Sequence, residues 1–143
     1  MNRYFDTSAL MPYYRPEPAS AACEALLLDS PDGVCISHLT EVEMASVLAR
    51  LVRTGELAEK DAERVQQAFA EDLDRRRIAR ESLAPEHFER ALAWLLIRST
   101  ALRTLDALHL ACASKLGAEL VTCDRVLGEA ARKFGVPCLF IEP

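Results

Sequence analysis

Along this 143-residue chain, short apolar runs alternate with longer stretches in which apolar residues recur every three or four positions. The first run, "RYFD" at residues 3–6, reads as a strand. Over residues 16–29, Ala19, Ala22, Cys23, Leu26 and Leu27 fall at helical spacing, and Pro31-Asp32-Gly33 ends the segment. Val34-Cys35-Ile36 is a second strand, closing on Ser37, a good helix N-cap. The helix it opens carries Leu39, Val42, Val47, Leu48 and Leu51 and breaks at Gly55. A further helix spaces Leu57, Val65, Ala68, Phe69 and Leu73 between charges. Residues 78–83 predict a third strand, 85–98 a helix with proline at its start, and 105–116 a helix stopped by Gly117. Leu120-Val121-Thr122, a helix over 124–134 and Leu139-Phe140-Ile141 complete the series.

Strands alternating with helices argue for an α/β fold whose mostly parallel sheet, of four to five strands, is covered by helices on both faces. Sites in such folds collect beyond the carboxyl ends of the strands. There is no repeat, low-complexity tract or long linker, so residues 1–143 are expected to form one domain, long enough to bury an ordinary core without staples.

Composition narrows the class. Half of the residues are apolar and 27% are charged, as in soluble globular proteins. The start lacks the pattern of a secretory signal, and no apolar run approaches the roughly 18 residues that span a bilayer, so a cytoplasmic location away from membranes is expected. The five cysteines are odd in number, widely spaced and never form CxxC, which suits reduced core residues. His109 and Cys112 share a helical face, but no second pair completes a zinc site. A net charge of −5 gives no global attraction to nucleic acid, so any role on RNA has to rest on a local site. The concentrated basic stretch "RRRIAR", residues 75–80, suits either phosphate contact or the solvated end of a helix, and the second is favoured by the helix dipole.

Four acids change the picture. Asp6 closes the first strand, and Asp124 stands at the strand-to-helix junction after Thr122. Glu43 interrupts an apolar stripe with no Lys or Arg at neighbouring helical positions, and Asp106 opens the otherwise apolar "LDALHLACA". Each has a structural explanation: Asp124 as an N-cap, Asp106 at a helix dipole, Glu43 on a rim, Asp6 in an Asx-turn. Gathered together without basic partners, however, they would raise one another's pKa values unless a cation neutralised them. Oxygen-only ligation points to Mg²⁺ or Mn²⁺, and such an ion suits phosphodiester hydrolysis by water.

In order, "YFDTSAL", "ISHLTEVEMASVL", "LRTLDALHLACA" and "LVTCDRVL" resemble the PIN-domain family, most closely the VapC toxins of type II toxin–antitoxin pairs, over residues 3–141. The resemblance implies a three-layer α/β/α sandwich and a Mg²⁺- or Mn²⁺-dependent endoribonuclease. It matches Asp6, Glu43 and Asp106 to the three core metal-site acids and Asp124 to the fourth, which often binds through water. Ser8 and Thr122 match supporting hydroxyl positions. Thr7 is unassigned, because in a continuing strand its side chain points away from that of Ser8. His109, at a position where such toxins commonly carry His, is read as packed or hydrogen-bonded. The resemblance further implies an RNA substrate, a VapB-like antitoxin partner and a homodimer.

Two alternatives remain at this level. An aspartyl phosphoryl-transfer domain also uses Mg²⁺, but one type starts D-x-D where this chain has Asp6-Thr7-Ser8, and another needs a strand-end lysine, whereas Lys115 and Lys133 fall within helices. A catalytically silent PIN-like binding module predicts no Mn²⁺ binding and no effect of Asp6→Asn.

Overall fold

Every strand pairing in the central sheet is parallel. The computed structural model describes residues 1–143. In chain order its elements are β1 (Arg3–Phe5), α1 (Thr7–Tyr14), α2 (Ser20–Leu28), β2 (Val34–Ser37), α3 (His38–Arg53), α4 (Glu59–Asp74), β3 (Ala79–Glu81), α5 (Pro85–Ile97), α6 (Thr104–Leu116), β4 (Glu119–Thr122), α7 (Arg125–Lys133) and β5 (Cys138–Phe140). The five strands are ordered β3-β2-β1-β4-β5, so the direction of winding reverses between β1 and β4. That reversal opens a crevice at the carboxyl edge, just beyond Phe5 and Thr122.

Strand period splits the core into two halves. Phe5, Ile36 and Val121 point into one apolar cluster, filled by residues of α1 to α4. Tyr4, Cys35 and Leu120, one position away, point into another, filled by α5, α6 and α7. Both clusters are buried, which makes the molecule the three-layer α/β/α sandwich expected of a parallel sheet with buried faces.

The helix pattern departs from expectation in one place that matters for the site. Where periodicity predicts a single helix over residues 16–29, the structure has α1 before it, and α2 starts only at Ser20. Ala9, Leu10, Met11 and Pro12 are all buried, so α1 shows no polar face by which its period could be read. Pro16 and Pro18 hold the residues before them out of helical conformation and delay α2. The third strand is shorter than 78–83, covering Ala79–Glu81. Gly117 ends α6 at φ 62°, a left-handed cap that glycine adopts without steric cost. No helix is long and apolar enough to cross a membrane.

Candidate active site

Asp6, Glu43, Asp106 and Asp124 all line one cleft of about 440 Å³ at the crevice edge of the sheet. They come from four places: the end of β1, the first half of α3, the first turn of α6 and the start of α7. A larger hollow of about 750 Å³ lies between α3 and α4 and contains none of these acids.

Asp6 is held most firmly. It is the N-cap of α1, accepting from the Ala9 amide at 3.1 Å. Ser8 Oγ lies 2.8 and 2.9 Å from its two oxygens, and Thr122 Oγ1 donates to Oδ2 at 2.8 Å. Each supporting hydroxyl also ties Asp6 to the neighbouring strand's loop, since Ser8 Oγ accepts from the Cys123 amide and Thr122 Oγ1 from the Asp124 amide, both at 2.9 Å. Asp124 in turn caps α7, its Oδ1 accepting from Val126 N at 2.9 Å and Leu127 N at 3.3 Å.

Glu43 is not unpaired, as the local sequence implies. Its partners come from other elements: Thr7 Oγ1 donates to Oε1 at 2.8 Å, and Nε2 of His109 from α6 meets the same oxygen. Thr7 and Ser8 both face the cleft because the chain leaves the extended conformation at Asp6. Successive helical residues are separated by about 100°, not the 180° of a strand. A carboxylate facing Nε2 requires a proton on that nitrogen, which leaves Nδ1 toward the buried hydroxyl of Tyr4 at 2.8 Å. That hydroxyl also reaches Ser37 Oγ at 2.9 Å, so a polar chain runs from the end of β2 through the second core to the cleft.

Electrostatics differ from acid to acid. Burial pushes the Asp6 carboxyl up to about 6, with His109, Ser8, Thr122 and the Ala9 amide pulling back. Asp106 is also held above its ordinary value, first by burial and then by the charge of Asp124. Burial raises Glu43 too, but the bond to His109, its charge and the Thr7 hydroxyl together outweigh it and leave Glu43 below the usual value.

These donors are hard oxygens, and no lysine or arginine forms an ion pair with any of the four acids. In kind, the set fits Mg²⁺ or Mn²⁺. As the side chains stand, no three His, Cys, Asp or Glu residues converge closely enough to share one ion.

Elsewhere, all five cysteines are free thiols. Cys23, Cys35 and Cys112 are core residues, but Cys123 departs from that expectation by lining the cleft. The basic stretch is largely consumed locally: Arg75 pairs with Glu71 at 2.8 Å, Arg77 with Asp72 at 3.0 Å and Arg80 with Glu41 at 2.9 Å.

Comparison with known proteins places this arrangement. The pattern of the family described as PIN domain matches residues 3–133. The chain belongs to the PIN-domain family. No curated protein sequence matches it. Among solved structures, this PIN domain is similar to Mycobacterium tuberculosis VapC20, a sarcin-ricin loop cleaving toxin, at 17% identity and TM-score 0.68, covering 90% of this chain and 94% of that one. It is similar to VapBC2 from Rickettsia felis bound to a promoter DNA fragment, at 13% identity and TM-score 0.69, covering 99% and 100%. It is also similar to FitAcB from Neisseria gonorrhoeae, at 18% identity and TM-score 0.66, covering 96% of each chain. At these identities the likeness is one of fold: the chain has the PIN fold in the form seen in VapC-type toxins.

Proposed function

We propose that this PIN domain is a Mg²⁺- or Mn²⁺-dependent endoribonuclease, the toxin of a VapBC-type pair, with Asp6, Glu43, Asp106 and Asp124 as its catalytic acids. The observation that carries the reading is the convergence of these acids, from four separate elements, on one cleft at the sheet's switch point. Family membership and the fold of VapC-type toxins support it.

In this reading the four carboxylates are the groups that would hold the ion. When bound, the ion would activate water and offset charge on the scissile phosphate. The chain's own part is to hold the carboxylates still. Ser8 and Thr122 hold both Asp6 oxygens from one side, while His109 and Thr7 hold Glu43 from the other. Groups fixed in this way undergo little reorganisation during reaction. A VapB-like antitoxin is the proposed protein partner, and a second copy of the chain its homodimer mate.

Purified chain, free of other proteins, tests the reading against a panel of transfer, ribosomal and messenger RNAs with Mg²⁺ or Mn²⁺. Internal cleavage is expected, and it is expected to vanish in chelator and in Asp6→Asn. Failure to cut any RNA, or equal cutting by Asp6→Asn, would overturn it.

A further inference from the structure

The cleft has an acidic end and a basic end, and the same two helices carry both. Asp6 is the N-cap of α1 and Arg15 its C-cap, about 13 to 14 Å apart along the axis. Glu43 and Arg50 are about two turns apart on α3, which places them on the same face roughly 10 Å from each other. Both arginines line the cleft with the acids, joined along α1 by Met11 and along α3 by Val47. Each helix therefore leads from an acid to an arginine along one wall of the same groove.

Neither guanidinium has found an acid. Six arginines pair with a carboxylate and eight, Arg15 and Arg50 among them, do not; of the unpaired ones only Arg15 and Arg50 line the cleft, although Glu17 lines it too. An acidic cleft in a chain of net charge −5 repels a polyanion. An ion at the acids would offset that repulsion around the scissile phosphate but not along the rest of the strand, because screening confines such a charge to roughly 8 Å at physiological salt. Two unpartnered guanidinium forks farther along the groove supply the missing attraction, and arginine is suited to phosphate through paired N–H donors.

We propose that Arg15 and Arg50 bind RNA phosphates on one side of the scissile bond, so that the strand lies along the groove between α1 and α3 from the acids toward the arginines. The assignment rests on the nuclease reading of the acids. RNA is preferred over an acidic protein segment because the arginines share one cleft with the acids assigned to phosphodiester cleavage, so that a strand cut at those acids passes them.

The test uses the full chain carrying Asp6→Asn, a fluorescent unstructured RNA oligonucleotide and no divalent metal. Affinity is measured between about 50 and 200 mM salt, a range over which counterion release is read. Arg15→Ala and Arg50→Ala are each expected to weaken binding several-fold and to reduce the slope of log affinity against log salt by about 0.7, the single-strand value per contact. Arg15→Lys and Arg50→Lys, which preserve charge and fold, are expected to keep the slope. Arg64→Ala, outside the cleft, is expected to change neither. In the cleaving parent, the double alanine variant should raise KM and leave kcat unchanged.

An unchanged slope in the double variant overturns the assignment, as does RNA binding too weak to measure in the parent. Loss of binding to polyglutamate with RNA binding intact overturns it in favour of a protein partner. If the parent cuts RNA while the arginine variants behave as the parent does, the assignment fails and the nuclease reading stands. If the slopes fall as stated but no RNA is ever cut, the groove binds RNA and the nuclease reading fails.

Discussion

Tyr4 Oη and His109 Nδ1 lie 2.8 Å apart in the buried core behind the cleft, joining the first strand to α6. Because the other imidazole nitrogen meets Glu43, the tyrosine fixes an acid that it never touches. Tyr4→Phe keeps the ring but strands the Ser37 hydroxyl and Nδ1, which is expected to cost about 1–2 kcal/mol and to lower Tm. His109→Ala frees Glu43, and a loss of about 10- to 100-fold in Mn²⁺ affinity or cleavage is expected, the scale seen for groups that orient metal-holding side chains. Calorimetric Mn²⁺ titration and cleavage rates check this. Wild-type values in His109→Ala would reduce the histidine to packing.

The raised carboxyl of Asp6 makes the site a source of instability. Its value is about 6 in the folded chain against an unfolded value near 3.9, so the folded state binds the proton more tightly. Stability is therefore expected to fall as pH rises between about 4 and 6 and to stay lower above that, by up to about 3 kcal/mol. Asp6→Asn removes the charge and keeps an N-cap oxygen, although its NH₂ replaces an oxygen that accepts from Ser8 or Thr122. A net gain of about 1 kcal/mol at pH 7.5, absent at pH 4, is expected together with loss of cleavage. Thermal melts of both chains at both pH values decide; an identical difference at the two would sink the idea.

A cation at the acids should reverse that penalty. At a hundredfold excess over its dissociation constant, Mn²⁺ is expected to stabilise the wild-type chain by about 2.7 kcal/mol, seen as a rise in Tm. Asp106→Asn, which removes a half-buried acid beside Asp124, should lose most of the rise. Equal shifts in the two chains would place Mn²⁺ elsewhere.

What could be read from sequence divides along physical lines. Strands were legible because each is a short apolar run bounded by a cap or a turn, as Val34-Cys35-Ile36 is by Gly33 and Ser37. The acids stood out because they break apolar surroundings. Contacts across the fold carry no local signal: nothing near Glu43 indicates His109 or Thr7, and nothing near Arg50 indicates Arg15. The omission of α1 also misdirected Thr7, since a helix start presents Thr7 and Ser8 to one cleft where a strand would separate them. Thr7→Val retains shape and removes the 2.8 Å bond to Glu43, and a drop of roughly 5-fold in cleavage with little change in Tm is expected, equivalent to about 1 kcal/mol. Cleavage at the wild-type rate would make the bond incidental.

On the opposite layer, α5 exposes Phe88, Leu92 and Leu96 on one stripe at helical spacing, with Ile97 beside them and Leu105 at the start of α6. Each is between 44 and 58% exposed, and such contiguous apolar surface marks an interaction site in proteins of this size. A second copy of the chain is its expected occupant. Leu92→Asp and Leu96→Asp are exposed changes that should leave the monomer's stability within about 0.5 kcal/mol while placing unpaired charge in the contact. Light scattering after gel filtration should therefore give a dimer for the parent and a monomer for the double variant, with melting of the variant independent of concentration. A parent that stays monomeric at high concentration, or a variant that still dimerises, removes this face from the dimer.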